Sequence, residues 1–388
     1  MPRSVIFVDA LPPASGACSH AVRAGGWVFT AGLVGLDRTG AIVGATAGEA
    51  DARAQTRRVI DNLAIALDAL GVPLAHVAKV KGYLADFRYA PAYNAAYREA
   101  LAPPWPARAT AGVGLLHDGA VVQLEAIAVV AARPAPVRTP GRAEPPVPLT
   151  QGMQTAGVLF ASGQPARDAS GVLIGRGDSR AQVEQALHNL GTVLDATGLG
   201  FADVVKLHAT VPDRSGLSVY REALAKRFAE PLPAFTVGQS APAIEGLLIE
   251  IEAVAVRGSR RVVRSDQTRA LEVGNLVHLA GEPGAEDPRR LVAAGDVRAQ
   301  TRRVMQSLRR CVEGLDGRMD DIVKTDVTLA DHRLLPAFDE EYRAFFTPPY
   351  PARTTVVAGL TQDRILVEVE AVAVLGAAEA AIAVTGGA

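Results

Sequence analysis

Arg108 and Arg353 each follow the dipeptide Pro-Ala, and each stands 17 residues before a glutamate, Glu125 and Glu370. A guanidinium is a planar fork whose parallel N–H groups fit a carboxylate. An arginine near the start of one strand and a glutamate on the next could face each other across a hairpin. Two outcomes are consistent with that spacing. One is a structural pair, because a buried arginine is costly without a carboxylate. The other is a functional site built on the pair. A third copy of the phrase reads Pro233-Ala234-Phe235, with Glu252 again 17 residues on. It keeps the acid and loses the cation.

Other residues with chemical capacity are fewer. Cys18 stands two residues from His20 and could be an activated thiol, although a lone cysteine is more often an inert small apolar group. Cys311 falls among Val304, Leu308 and Leu315 on a predicted helix and reads as core. The histidines show no metal-ligand spacing, and no glycine-rich phosphate loop precedes a helix. Lys79, Lys206 and Lys324 occupy matching positions. No aligned serine accompanies them, which counts against a ring-opening hydrolase built on Ser–Lys pairs.

These residues must be positioned by repeated elements. The phrase Ala54-Gln55-Thr56-Arg57-Arg58 recurs at Ala181-Gln182 and again at Ala299-Gln300-Thr301-Arg302-Arg303, after 127 and then 118 residues. The Pro-Ala phrase and the glutamates keep both spacings. Three phrases in one order mean triplication of a domain of about 120 residues, far longer than a solenoid repeat. The boundaries read 1–133, 149–258 and 259–376. A linker at 134–148 lies in a six-proline stretch and should be extended and exposed, and a tail at 377–388 should fray.

Each repeat predicts an α+β unit. A short strand such as Trp27–Ala31 ends at Gly32, and its counterparts end at Gly163 and Gly281. A long amphipathic helix follows, with apolar residues near a 3.6 period. Next come a strand over 77–84 (204–211 and 322–329 in the other repeats), a second helix over about 90–100, and two closing strands. The chain is 388 residues long and 49% hydrophobic, with a net charge of −1. That charge leaves no electrostatic footprint for nucleic acid. No apolar run reaches the ~20 residues of a membrane helix, and no signal peptide is visible. Two cysteines in different repeats exclude a disulfide framework and make a cytoplasmic setting the default.

Pro-Ala-Arg-Thr-Thr-Val at 351–356 with Val-Glu-Val-Glu-Ala-Val-Ala at 367–373 resembles the RidA (YjgF, reactive intermediate deaminase) family. Pro-Ala-Arg-Ala-Thr-Ala at 106–111 with Leu-Glu-Ala-Ile-Ala at 124–128 does so too, as does Phe-Ala-Ser-Gly-Gln at 160–164. The resemblance implies chorismate-mutase-like domains and a homotrimer with clefts between subunits. Here it implies an intramolecular pseudo-trimer, sheets inward and helices outward, as a monomer or a higher oligomer of it. It further implies hydrolysis of enamines or imines that carry a small carboxylate, with no cofactor or metal. Carried over, Arg108 and Arg353 hold the substrate carboxylate, with preference for Arg353. Glu125, Glu252 and Glu370 place the water. Asn94, matched by Leu217 and Asp339, and Thr110 and Thr355 line the site together with Gly32, Gly163 and Gly281. A family tyrosine is replaced by Cys18, Leu149 and Gln267, which makes Cys18 a candidate catalytic group. Only repeat 2 keeps Ser-Gly-Gln, and repeat 2 lacks the arginine, so complementary loss leaves room for one composite site. The alternatives are a non-hydrolytic or ring-opening enzyme on the same fold, or a metabolite-binding protein without turnover.

Overall fold

The computed structural model describes residues 4–14, 16–46, 49–265, 268–283, 293–380 and 382–386. Each repeat forms one mixed sheet backed by two helices. In unit 1 the strands Ala21–Ala24, Trp27–Thr30, Val122–Val129, Val77–Leu84 and Ala107–Gly112 lie side by side in that order. Val77–Leu84 runs antiparallel to Val122–Val129 and parallel to Ala107–Gly112. The return to a parallel edge strand needs a crossover, supplied by the helix α2 (Ala90–Ala100), which packs on the longer α1 (Ala52–Asp68). Units 2 and 3 repeat this plan with α3 (Ser179–Asp195) and α4 (Leu217–Arg227), then α5 (Val297–Glu313) and α6 (Leu335–Arg343).

The recurring helical phrase has a structural reason. Asp51, Asp178 and Asp296 cap the three long helices, each accepting the N–H of the alanine three residues on, a standard N-cap arrangement. The glutamine that follows each alanine is fully buried. Gln55 donates to the Gly119 carbonyl and accepts the Val121 N–H. Gln182 does the same to Gly246 and Leu248, and Gln300 to Arg364 and Leu366. One side chain thus fixes the turn before each last strand.

Two expectations about the connections are corrected. The linker is not simply extended and exposed. Ala135–Pro136 adds to the sheet of unit 2 beside Gly152–Thr155, and residues 142–147 line a cavity. The tail does not fray throughout: Ile382–Gly386 pairs in parallel with Ser4–Val8 at the edge of the unit 1 sheet. The basic stretch between units 2 and 3 is also a strand, Arg260–Ser265. Among the described residues no helix is long and apolar enough to cross a membrane.

The units touch one another through matching groups. The Gly163 N–H of unit 2 donates to the Arg108 carbonyl of unit 1 at 3.1 Å, and the Gly32 N–H of unit 1 to the Arg353 carbonyl of unit 3 at 3.2 Å. The Gly281 N–H of unit 3 donates to Thr236 Oγ1 of unit 2 at 2.8 Å.

Candidate functional site

Three clefts follow from these contacts, and they are unequal. Between units 1 and 2, Arg108 leaves the edge strand on the helix side and lies over the rings of Tyr93 and Tyr97 of α2, 5.0 and 4.9 Å from the ring centres. It is 3% exposed. Its Nη2 donates to Asn94 Oδ1 at 2.7 Å. Nε and Nη1 are buried and have no hydrogen-bond partner among the described residues. Leaving buried donors unmade is costly, and an unmade N–H of a guanidinium is what a carboxylate oxygen satisfies. The Arg108 backbone N–H donates to Ser162 Oγ of unit 2 at 2.8 Å, and that hydroxyl in turn donates to the Thr150 carbonyl. Serine here therefore positions the arginine's strand. Ala31 and Ala280 stand in its place in the other units. Thr110, Leu149 and Gly163 line the same cavity, about 210 Å³ in volume.

The acid in this cleft is Glu250, two residues before the glutamate expected. It lines the cavity with Arg108 and packs on Gly163, where a Cβ would stand 2.1 Å from Glu250 Oε1. A side chain at 163 would displace it. Burial chiefly, then the neighbouring Glu252 charge, pushes the Glu250 carboxyl up to about 7, against the opposing pull of Lys79 and Arg108. A proton-transfer group is most useful near the working pH.

Glu125, Glu252 and Glu370 are not in the arginine clefts. They meet at a second cavity with the lysines of the neighbouring units. Lys79 of unit 1 pairs with Glu252 of unit 2 at 2.5 Å, Lys206 of unit 2 with Glu370 of unit 3 at 2.5 Å, and Lys324 of unit 3 with Glu125 of unit 1 at 2.7 Å. The physical reason is the pleat. Residues two apart share a face of a strand, so Glu250 and Glu252 both face inward and reach different clefts. The charge of Lys79 and Lys81 outweighs burial and holds Glu252 down at about 2, which is unsuited to proton transfer at neutral pH.

Between units 3 and 1, Arg353 lies over Phe338 and Tyr342 as Arg108 lies over its tyrosines. Its Nη1 meets Asp339 Oδ1 at 2.6 Å. This arginine already holds a carboxylate, where Arg108 holds a neutral amide. A Cβ on Gly16 would stand 2.1 Å from Asp339 Oδ2, so the chain closes tightly over the pair. Gln123 takes the place of Glu250 and packs on Gly32. Arg353, the anchor preferred from the resemblance, is thus the arginine that already holds an internal acid, and Arg108 is the one with unmade donors. Thr355 and Cys18 line this smaller cleft. Burial pushes the Cys18 thiol up, the wrong direction for a nucleophile. His20 does not pair with it: Nδ1 accepts the Val8 N–H and Nε2 meets the Pro12 carbonyl. His117 lines this cleft as well.

Between units 2 and 3, Phe235 packs against the unit 2 core, and Glu368 lies beside Gly281 with no arginine at the matching position. The residue that α4 places level with Asn94 and Asp339 is Arg221. Leu217 is the first residue of that helix, level with Ala90. Gln267 lies outside the described residues.

A family model described as Endoribonuclease L-PSP matches residues 9–130, 141–257 and 263–375. One unit's length is 35% identical to a RutC family protein of Pyrococcus abyssi, over 33% of this chain and 98% of the relative. Another match, at 34%, is to a 2-iminobutanoate/2-iminopropanoate deaminase of Mus musculus, over 29% of this chain and 82% of that protein. Among solved structures, RidA from an Antarctic Psychrobacter is 31% identical with a TM-score of 0.30, over 32% of this chain and 98% of that one.

Proposed function

This chain belongs to the endoribonuclease L-PSP family, the RidA and RutC proteins, as three tandem copies, and on that basis we propose that its unit 1/unit 2 cleft hydrolyses small carboxylate-bearing imines or enamines. The observation that carries this is Arg108, a buried guanidinium with two unmade donors in one cavity with Glu250. Similar proteins named as imine and aminoacrylate deaminases support it. We propose further that the three units form an intramolecular counterpart of a trimer, supported by the matching contacts from each unit to the next.

The substrate carboxylate would accept from the unmade Nη1 of Arg108. Water adds to the imine carbon while Glu250 takes its proton. Glu250 then returns that proton to the nitrogen, giving a carbinolamine; it next takes the carbinol hydroxyl proton and passes it to the nitrogen as the C–N bond breaks, so that ammonia leaves with a keto acid. Tyr93, Tyr97 and Asn94 hold the guanidinium still, so its orientation is fixed before substrate arrives. The test is ammonia release from an imine generated in situ by an amino-acid-oxidising enzyme, with and without the Arg108→Lys change. Lysine keeps the charge and loses the fork, so KM should rise. Unchanged kinetics would refute the assignment.

Glu250 must be ionised to accept the proton. Turnover should therefore rise with pH through an inflection near 7, and Glu250→Gln should flatten that limb. The stability effect runs the other way. The unfolded chain releases this proton near the ordinary value of 4.5 and the folded chain near 7. Glu250 thus withdraws stability as pH rises between those values.

The unit 3/unit 1 cleft gives a complementary test. Asp339→Asn removes the internal carboxylate and recreates the Arg108–Asn94 pair. Calorimetric titration with a small carboxylate should then show a second site per chain. An unchanged stoichiometry would mean that something other than Asp339 closes the cleft.

A further inference from the structure

The cavity beside Arg108 holds two more guanidinium groups, and no resemblance accounts for the first of them. Arg142 comes from the connection between units 1 and 2. Its Nη1 donates to Gln164 Oε1 at 3.3 Å and to the Asn189 carbonyl at 3.4 Å. Both bonds are long and both acceptors neutral. Arg167 follows the Ser-Gly-Gln run and donates to the Gly171 carbonyl within its own turn. Gln185 and Asn189 of α3 donate to the Arg167 carbonyl, and Asn189 also holds Pro165, so the segment carrying this arginine is fixed to a helix. Both side chains line the cavity, and both are half-buried, whereas Arg108 lies deep at its floor. Among the described residues neither stands in an ion pair.

The chain supplies its own control. The shift that carries Gly32 onto Gly163 and Cys18 onto Leu149 also carries Leu11 onto Arg142 and Leu36 onto Arg167. Leu11 and Leu36 line the unit 3/unit 1 cleft in the corresponding way. That cleft is smaller, about 80 Å³, and its deep arginine already has Asp339. Rim cations therefore occur in the cleft whose floor arginine has donors to spare, and not in the cleft whose floor arginine is neutralised. Two acids share the larger cavity's rim. Asp168 is taken up by the N–H groups of Ser170 and Val172 and by the Ser170 hydroxyl. Glu144 is exposed. Partial burial without a carboxylate partner pulls the Arg142 guanidinium down, and a bound anion would relieve that. Between floor and rim the lining is apolar, including Leu84, Phe87, Leu149 and Ile244.

We propose that the unit 1/unit 2 cleft takes a substrate with two acidic groups: an imino acid whose first carboxylate sits on Arg108 and whose second anionic group, across an apolar body, sits at Arg142 and Arg167. This rests on the Arg108 assignment above and names the substrate class for that site. Arg142 and Arg167 are specificity residues, remote from the reacting carbon.

The experiment compares two imines made in situ, one from leucine and one from 2-aminoadipate, in the parent and in Arg142→Gln, Arg142→Lys and Arg167→Gln. Binding of the unreactive diacid glutarate and of the monoacid 4-methylpentanoate is measured in parallel by calorimetry. In the parent, the diacid should be favoured in kcat/KM and in Kd. Arg142→Gln should raise KM for the diacid imine by about 10- to 100-fold, leave its kcat within a few-fold, and spare the monoacid imine. Arg142→Lys should recover part of the loss. Equal losses for both substrates would mean that Arg142 serves the first carboxylate or only the fold, and would overturn the proposal. So would a parent that favours neither acid. If no acid binds the parent and Arg108→Lys changes nothing, the assignment of the floor fails and the rim assignment falls with it. If the monoacid binds through Arg108 and the diacid binds no better, only the rim assignment falls.

Discussion

Glu250→Gln should lower ammonia release by about 10²- to 10⁴-fold, with carboxylate binding nearly intact, and Glu252→Gln should not. The two residues share one strand face two positions apart, and the contrast between them separates a chemical role from a structural one. Gln at 250 keeps the size of the side chain and removes the acceptor for the water's proton. Gln at 252 weakens the pair with Lys79 and should appear in stability instead. Parallel measurement of kcat and of the urea midpoint separates these outcomes. Equal loss of turnover in the two variants, with both folded, would return the proton-transfer role to the inner glutamates.

The second large effect concerns those inner glutamates. Glu370→Leu strips Lys206 of its carboxylate and leaves it Thr236 Oγ1 at 2.9 Å. It also removes an acid 3.8 Å from Lys81 and from His208. Removing one partner of a buried pair leaves an uncompensated charge, at a cost of about 3–5 kcal/mol. The urea midpoint should fall accordingly. Lys206→Met combined with Glu370→Leu should recover most of the loss, because the pair is then replaced by apolar groups. A single variant as stable as the parent would show that water or rearrangement compensates the lysine.

The fold was legible because each repeat restated it. Three aligned copies placed the central strands at Val77–Leu84, Val204–Val211 and Ile322–Leu329 to the residue. That Arg108 and Asn94 share a cleft was legible because the phrase around them resembles a known family. The acid was missed for a physical reason. Agreement among repeats marks what every unit requires, and every unit requires a glutamate for its neighbour's lysine. The cleft position is not uniform, being Gln123 in unit 1 against Glu250 and Glu368 in the others, since the clefts themselves have diverged. Variation at one position inside an otherwise uniform phrase was the signal available. The linker was misread from composition: proline favours extended backbone and says nothing about which surface the extended chain crosses. The spacing of 14 residues that separates Asn94 from Arg108 and Asp339 from Arg353 falls on Arg221, not Leu217, in unit 2.

The lysine–glutamate contacts bear on how such a chain can be altered. Every unit offers the same lysine in one direction and accepts through the same glutamate in the other, so each junction obeys one rule regardless of the cleft beside it. Units are in that respect interchangeable parts. A chain with its third unit replaced by a second copy of the first would present the lysine and glutamate that both of its neighbours require. The variety of the clefts is thereby separated from the assembly of the molecule, and chimaeras with one, two or three clefts of the Arg108 kind become a question of which units are ordered next to which.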